Sequence, residues 1–183
     1  MTRGSSALDE NVPPPLSRTP AEEARRIVLD AGFDRIGFAR AGVTPYAGRF
    51  AAWVERGFAG SMAWLERTRS KREDPTRVLP GARTVIATAL HYTGGDGTSS
   101  REDSGIISTY AQGDDYHRVL ESRLSVACDR LRGSFTSHHF RYYADTGPVL
   151  ERAWAEAAGI GWIGKNACAI DPERGSFFSS ARF

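Results

Sequence analysis

Two neighbouring segments near the end of the chain contain the residue types best suited to chemistry. Residues 145–152 place an acid, Asp145, and a base, Arg152, on either side of a proline that favours the first turn of a helix. Residues 159–166 follow shortly afterwards and form a glycine-rich connection that ends in a lysine and an asparagine. A carboxylate beside a helix start and a glycine-lined wall would suit proton transfer to a bulky bound ligand.

Asp145 has two interpretations that the residues alone leave open. It follows a predicted strand and precedes a predicted helix, a position from which catalytic side chains often project. It is also placed to cap that helix. Pro148 prefers the first helical position, which would make Gly147 the cap, but proline is tolerated elsewhere in the first turn.

The neighbouring polar residues also have alternative interpretations. Arg152 lies four residues before Glu156 and is expected either to form an exposed ion pair with it or to face Asp145 and orient its proton. Residues 164–166 offer a positive charge and an amide beside a close-approach backbone. They suit a ligand amide or phosphate, and equally a plain connection into a strand.

Residues 110–117 form a second dense polar cluster. Asp114 or Asp115 is placed to cap the helix that follows, with a tyrosine and His117 in its first turn. A single histidine in this position is more often a surface residue or a satisfied core residue than a catalyst. The cluster is therefore not assigned a reaction from its residues alone.

Several common kinds of site are not supported. His138 and His139 have no partner at metal-ligand spacing, so no metal site is predicted. Ser176 lacks the glycines of a nucleophile elbow, and no phosphate loop of the Walker or dinucleotide type is present.

Composition indicates an ordinary globular protein. The chain has 183 residues, 40% hydrophobic and 25% charged, enough for one domain with a core. The net charge of +2 is too small to indicate nucleic-acid binding. Lys71 and Lys165 are the only lysines among the 24 basic residues, and the remaining arginines are scattered, so genomic base composition explains them as well as phosphate recognition does.

Cysteine usage favours a reduced, cytoplasmic protein. Cys128 and Cys168 match no metal or haem spacing and form no disulfide framework. There is no apolar run of signal-peptide length at the start and none approaching the about 20 residues of a membrane span. Neither secretion nor membrane insertion is predicted.

Hydrophobic periodicity predicts an α/β (α+β) fold with a central sheet flanked by helices. Residues 1–18 are expected to be a disordered lead-in, residues 19–183 one domain, and residues 93–104 a mobile loop. The predicted helices start at Pro20 with Thr19 as N-cap and end at Gly32, occur twice within 46–67, and cover 116–131 and 149–158. The predicted strands are 35–39, 84–90, 140–144 and 167–170. Residues 176–178 start a further strand that the chain does not complete, which we interpret as truncation.

Several segments together resemble one family, the epoxyqueuosine reductases of the tRNA-modification pathway. The matching segments occur in the family's order and extend over roughly residues 20–178. They are residues 34–39 (DRIGFA), 60–65 (GSMAWL), 71–75 (KREDP), 79–86 (LPGARTVI), 110–117, and 145–166 continuing to 175–176.

The resemblance implies an oxidoreductase that reduces the epoxide of epoxyqueuosine at the wobble position of tRNA to give queuosine, using cobalamin and two [4Fe–4S] clusters. It implies that this chain is the cobalamin-binding catalytic domain, similar to the cobalamin module of reductive dehalogenases. By motif position Asp145 looks like the family's proton donor, which protonates the epoxide oxygen while a reduced cobalt centre attacks or reduces the epoxide. Arg152 would support Asp145, and the other residues implied at the corrin are Arg72, Ser108, Gly164, Lys165 and Asn166.

The chain departs from the family's pattern in two respects. The family's cluster ligands lie in a ferredoxin-like Cys-x-x-Cys-x-x-Cys segment beyond the point where this chain stops. Its two cysteines cannot replace the about eight thiolates that two clusters need. Asp114 stands where the family often has a basic residue, which weakens the expectation that this segment reaches tRNA phosphate.

These observations predict a monomeric, cytoplasmic fragment of an epoxyqueuosine reductase that acts on tRNA, keeps the corrin pocket and the proton donor, and has little activity alone. The alternatives are a non-catalytic cobalamin-binding module or an inactive truncated remnant. A flavin-binding reductase on a similar scaffold is a further possibility, which a yellow colour of the purified protein would reveal.

Overall fold

A small antiparallel sheet organises the computed structural model, which describes residues 18–92, 105 and 107–183. The strands are β1 (Arg35–Arg40), β2 (Thr84–His91), β3 (Trp162–Ile163), β4 (Ala169–Ile170) and β5 (Phe178–Arg182). β1, β2 and β5 form one sheet with β2 in the centre, and β3 and β4 form a separate hairpin. The helices are α1 (Pro20–Asp30), α2 (Ala47–Glu55), α3 (Ala63–Arg67), α4 (Arg69–Glu73), α5 (Tyr116–Ser134) and α6 (Glu151–Ala157), with 3-10 turns at Pro75–Arg77 and Thr109–Ala111.

The mixed α/β architecture predicted from periodicity is confirmed. Residues 1–17 of the predicted lead-in and the predicted mobile loop at 93–104 lie outside the described residues. Within the described part of the chain, no helix combines the length and the apolar character that a membrane span requires.

The first helix begins where its capping residues predict. Thr19 accepts a hydrogen bond from the backbone N–H of Glu22 at 3.3 Å, and the Glu22 carboxylate accepts one from the Thr19 backbone N–H at 2.7 Å. This reciprocal pair satisfies two donors that a helix start leaves unpaired. Pro20 occupies the first turn, so the sequence interpretation of this boundary is confirmed.

The central strand β2 separates two apolar layers, because its side chains alternate between the two faces of the sheet. On one face Ile86 packs with α1 and α5, whose core residues include Ile27 and Leu124. On the other face Ala87 and Ala89 pack against α6 through Ala155 and with Ile160 beyond it. These layers sandwich the sheet and explain the continuous apolar run of β2.

The outer edge of β1 is covered by a side chain from α1. Arg25 donates a hydrogen bond to the Ile36 carbonyl at 2.9 Å, and its guanidinium lies 5.6 Å from the centre of the Phe38 ring. Because β1 pairs only with β2 in the described sheet, this contact lies on the side of the strand that faces away from the sheet.

Two predicted elements beside Asp145 differ from the structure, and the strand expected to start at 176–178 and stay unfinished is the complete strand β5, which pairs with β2. The strand expected at 140–144 is reduced to a single bridge between Tyr143 and Arg182, since residues 144–150 turn away from β5 to reach α6. The helix expected from residue 149 begins at Glu151. Pro148 therefore does not occupy the first helical position but belongs to the loop before the helix.

The contact between α6 and β1 can be tested with a pair of glycine substitutions. At Gly37 a Cβ would lie well inside van der Waals contact of the Ala158 carbonyl, whereas at Gly133 it would meet nothing within 4 Å. We expect Gly37→Ala to lower the free energy of unfolding by about 3 kcal/mol, since backbone atoms must move apart. Gly133→Ala should leave it unchanged or raise it by up to about 1 kcal/mol. Urea unfolding measures both, and equal effects would contradict the proposed packing.

Candidate active site

Asp145 lies on a loop that is fixed at both ends. At the start, Tyr143 and Arg182 exchange backbone hydrogen bonds of 3.0 and 3.3 Å, which attach the loop to the edge of β5. At the end, buried Val149 accepts a hydrogen bond from Arg72 through its carbonyl at 3.3 Å. Between them the backbone folds at Gly147, where a Cβ would lie 2.5 Å from the Tyr143 ring, so only glycine fits without rearrangement.

The backbone at Asp145 adopts an unusual conformation that turns its side chain outward. Its φ is +57°, in the left-handed region that few residues other than glycine enter. Aspartate and asparagine are among the side chains that best tolerate this region. The carboxylate is about half exposed, and it accepts a hydrogen bond from the Tyr116 hydroxyl.

The structure excludes one of the two interpretations of Asp145, that of a helix cap. α6 begins six residues later, with Leu150 at its N-cap position and no side-chain capping bond. The Asp145 carboxylate contacts the start of α5 instead. The capping interpretation is therefore wrong, and the catalytic interpretation keeps a geometric basis: an exposed acid on a strained backbone, held by a side-chain contact.

A second carboxylate and a histidine complete a polar cluster around Asp145. His117 Nε2 lies 3.8 Å from the Asp145 carboxylate, and His117 Nδ1 lies 2.9 Å from the Asp115 carboxylate. Asp115 also accepts the His117 backbone N–H at 3.0 Å, which confirms Asp115 as the cap of α5. The side-chain contact with His117 holds the pKa of Asp115 below its ordinary value.

Tyr116 is the residue of this cluster whose pKa is shifted most by its surroundings. Its ring packs against His117 with centroids 4.0 Å apart and meets Tyr110 edge-on at 6.1 Å. Burial raises the pKa of the Tyr116 phenol, and the hydrogen bond to Asp145 and the negative charge of that carboxylate raise it further. Tyr116 therefore remains a protonated donor to Asp145 across the neutral range.

A wide groove of about 490 Å³ lies on the other side of the loop. Such a volume is within the range of ordinary small-molecule sites. Tyr46, Phe50 and Trp53 form one wall, and Leu150 and Ile163 contribute further apolar surface. The Tyr46 hydroxyl donates to Glu156 at 2.5 Å, and this hydrogen bond raises the pKa of Tyr46.

Two of the arginines predicted at the site line this groove. Arg72 is half-buried, and burial lowers its pKa, while Glu151 acts in the opposite direction and Arg182 adds to the lowering. Arg152 donates to the Ala167 carbonyl. Neither expected partner of Arg152 is in contact with it among the described residues, and the predicted Arg152–Glu156 pair is wrong.

The turn between β3 and β4 holds the other predicted residues. Gly164 and Cys168 are joined by a backbone hydrogen bond of 2.9 Å, and Asn166 accepts the Cys168 N–H at 3.1 Å through its side chain. Asn166 and Lys165 are exposed. Only Ala167 of this turn lines the groove, so Gly164, Lys165 and Asn166 lie beside it.

Ser108 lies on the opposite side, next to the polar cluster. It is exposed and precedes the 3-10 turn at Thr109–Ala111, whose Tyr110 packs against Tyr116. The predicted site residues thus form two groups: Asp145 and Ser108 near the start of α5, and Arg72, Arg152 and the β3–β4 turn at the groove.

Sequence reasoning missed two features of the site. Tyr46, Phe50 and Trp53 are spaced at i, i+4 and i+7, a helical stripe that predicts a common face but not that the face lines a groove. Asp171, fully buried, contacts Arg35 and lies 3.1 Å from His91 Nε2 without the alignment of a hydrogen bond. These contacts attach the β3–β4 hairpin to the sheet.

Hydrogen bonds keep the buried Asp171 ionised. Burial alone would raise the pKa of Asp171, but the hydrogen bond from Arg35 and those from the backbone N–H groups of Glu173 and Arg174 outweigh it. The net result is a pKa below the ordinary value.

Comparison of sequences relates the chain to one class of proteins, tRNA-modifying reductases. Residues 72–146 match the family model described as epoxyqueuosine reductase QueG, DUF1730. The epoxyqueuosine reductase of Gloeobacter violaceus is 45% identical over 148 residues, which are 80% of this chain and 46% of that protein. That of Pseudomonas aeruginosa is 31% identical over 175 residues, 93% of this chain and 48% of that protein.

Comparison of structures gives the same result. Epoxyqueuosine reductase from Streptococcus thermophilus superposes with a TM-score of 0.75 at 26% identity, and one solved with an epoxyqueuosine-modified tRNA-Tyr stem loop superposes with 0.73 at 31%. Each match covers 88% of this chain and 44% of the solved one. The chain is therefore a relative of the epoxyqueuosine reductases, which confirms the family predicted from its motifs. It spans about half the length of the relatives that it matches.

The contact between Tyr116 and Asp145 can be tested by titration. In Asp145→Asn the negative charge that opposes phenolate formation is removed, so the pKa of Tyr116 should fall toward its ordinary value while burial keeps it above. The near-ultraviolet absorbance of the phenolate reports this ionisation. The control Asp129→Asn, which removes an exposed carboxylate on the same helix, should leave the titration of Tyr116 unchanged. An unchanged titration in Asp145→Asn would contradict the contact.

Proposed function

We propose that this chain is the cobalamin-binding catalytic part of an epoxyqueuosine reductase, an oxidoreductase that converts epoxyqueuosine in tRNA to queuosine. The main observation in support is Asp145, an exposed carboxylate held in a left-handed backbone conformation by Tyr116 and His117. The solved relative with an epoxyqueuosine-modified tRNA stem loop supports tRNA as the substrate. Another relative, from Bacillus subtilis, is described with its catalytic aspartate loop swung out of the active site, which supports a catalytic role for the Asp145 loop.

The residues at the groove suit cobalamin. A corrin is a flat, largely apolar macrocycle with amide groups at its edge, and the aromatic wall of Tyr46, Phe50 and Trp53 offers a complementary apolar surface. Arg72 and Arg152 offer guanidinium donors to the amide oxygens. When bound, cobalamin would supply the reduced cobalt centre that acts on the epoxide.

The chain's own residues would donate the proton and replace it afterwards. When the carbon–oxygen bond of the epoxide breaks, the leaving oxygen gains negative charge and needs a proton, which Asp145 would donate. Tyr116 donates to the Asp145 carboxylate and so stabilises its charged form after transfer. His117, between Asp115 and Asp145, lies within reach to return a proton from solvent.

The remaining predicted residues would contact the ligand and would take no part in proton transfer. Gly164 allows the turn to pack closely against Ile170 and the Asn166 side chain, and Lys165 and Asn166 are exposed next to the groove. Ser108, near Tyr110, would approach from the side of Asp145. We further infer that the chain works as a monomer in the reducing cytoplasm, where both Cys128 and Cys168 stay free thiols.

Electron delivery would come from outside this chain. The resemblance implies two [4Fe–4S] clusters, and the described residues contain no group of three or more side chains placed to hold a metal. With two cysteines in total, the chain cannot provide the thiolates such clusters require. The part of the relatives that this chain does not match would carry them.

Binding to cobalamin can be measured with the purified chain. Titration followed by visible absorbance should give a saturable change. Trp53→Ala should weaken binding by about tenfold, because a wall of the groove is lost. Trp64→Ala is the matched control, since Trp64 is half exposed and does not line the groove, and should bind like the parent chain. Equal loss in both variants, or no binding at all, would refute the corrin groove.

Turnover tests the role of Asp145. The 183-residue chain with cobalamin and a chemical reductant should convert epoxyqueuosine in tRNA slowly or not at all, and robust conversion would contradict its dependence on separate clusters.

In a complete relative, asparagine in place of the corresponding aspartate should lower the rate by about 100-fold or more, the usual contribution of a general acid. In this chain, Asp145→Asn should leave cobalamin affinity unchanged, which separates proton donation from binding. Near-normal turnover of the asparagine variant would refute the assignment.

A further inference from the structure

A second, smaller cavity lies beneath the Asp145 loop. Its volume is about 50 Å³. It lies between the sheet, the 3-10 turn at Pro75–Arg77 and the loop, and Val149 is the one residue that it shares with the corrin groove. Its walls are largely apolar, and its charged side chains are two arginines: the lining includes Val78, Val85, Val149, Tyr143, Arg141 and Arg182.

Arg182 brings a buried positive charge to this cavity. Its side chain is 5% exposed, and one of its terminal nitrogens pairs with Glu151 at 2.5 Å. Its Nε–H is buried and has no acceptor among the described residues. The indole N–H of Trp154, which packs with Val85 and Val149 of the cavity wall, is also buried without an acceptor. Both unpaired atoms are donors, so the partner that would satisfy them is an acceptor.

The charges around the cavity are unbalanced. Arg72 and Arg182 both act on the single carboxylate of Glu151, and Arg141 adds a third guanidinium on the cavity wall. Of these three guanidinium groups only Arg141 and Arg182 line the cavity; Arg182 is paired with Glu151, and Arg141 has no carboxylate partner among the described residues. No acidic side chain lines the cavity in the described part of the chain. In a partly buried place, such an excess of positive charge favours an anion.

Size and surroundings narrow the kind of anion. A single buried water needs a cavity volume of about 10–15 Å³. The cavity therefore has space for roughly three to five atoms of that size, which suits a small oxyanion. The cavity opens into an adjoining groove of about 430 Å³, with which it shares Arg141 and Phe183 and to which Arg83, His138 and His139 contribute. The organic part of a phosphate ester would have space there.

We propose that the cavity beneath the Asp145 loop binds a phosphate group, free or as a monoester, through Arg182 and Arg141. Arg182 supplies its buried Nε–H from the inner end, and Arg141 closes the site from the surface. Tyr143 and Arg182 also fix the start of the Asp145 loop, so a bound phosphate steadies that loop. The site does not depend on the proposed reductase activity.

Calorimetry on the purified chain tests the site. Inorganic phosphate and a nucleoside monophosphate are titrated separately at constant ionic strength, with chloride as the reference anion. Saturable binding of phosphate is expected. Arg141→Gln, a change at an exposed side chain, should weaken it by about tenfold or more, the loss expected for a charge-assisted hydrogen bond. Arg182→Lys, which keeps the charge but removes the Nε donor, should weaken it similarly, and Arg130→Gln, at an exposed position on α5, should not.

The substitution Glu151→Gln is expected to change phosphate affinity in the opposite direction. Removing the carboxylate shared by Arg72 and Arg182 should tighten phosphate binding, whereas a general loss of structure would weaken it. Bound phosphate should also slow hydrogen exchange in residues 143–149. Tighter binding of the monophosphate than of phosphate identifies an ester site, and equal binding identifies a site for free phosphate. The proposal is overturned if phosphate does not bind saturably, or if Arg141→Gln binds it as well as Arg130→Gln does.

Discussion

The ion pair between Arg182 and Glu151 is the contact on which the arrangement of this molecule most depends. A buried guanidinium carries a desolvation cost of several kcal/mol unless a charge compensates it. Arg182 is the last residue of β5, and Glu151 is the first residue of α6, so compensation draws the helix onto the sheet. The seven residues between Tyr143, which bridges to Arg182, and Glu151 must then fold into a short, strained loop. That loop presents Asp145.

The elements that follow from local patterns were predictable from the sequence. The α1 boundary depends on Thr19 and Glu22, which are three residues apart, and β2 depends on an uninterrupted apolar run. The failures occur where distant contacts decide. Residues 140–144 have the composition of a strand, but only Tyr143 finds a partner, since the backbone then leaves β5 to reach α6. Pro148 satisfies the local rule for a helix start, and the pairing of Glu151 with Arg182 places the start three residues later.

The candidate site shows the same limit. Asp145 could be selected by its place between a strand and a helix and by family resemblance, and its exposure agrees with that selection. Its partners Tyr116 and His117 lie about thirty residues earlier, and no short-range pattern joins them to it. For Arg152 the short-range pattern gives a wrong contact. Its spacing from Glu156 favours a helical ion pair. The Glu156 carboxylate instead accepts hydrogen bonds from Tyr46 and from the Ile163 backbone N–H.

The arginine that covers the outer edge of β1 has a consequence for how this sheet behaves in solution. An exposed strand edge presents unpaired backbone groups that invite another chain to extend the sheet, a common route to aggregation. Arg25 occupies the Ile36 carbonyl with a positive charge at this edge, so an approaching strand would have to displace a guanidinium and lose its contact with Phe38. At the opposite edge, Tyr143 occupies the backbone groups of Arg182. Among the described residues, one side chain and one bridging residue thus protect the two edges of the three-stranded sheet from edge-to-edge association.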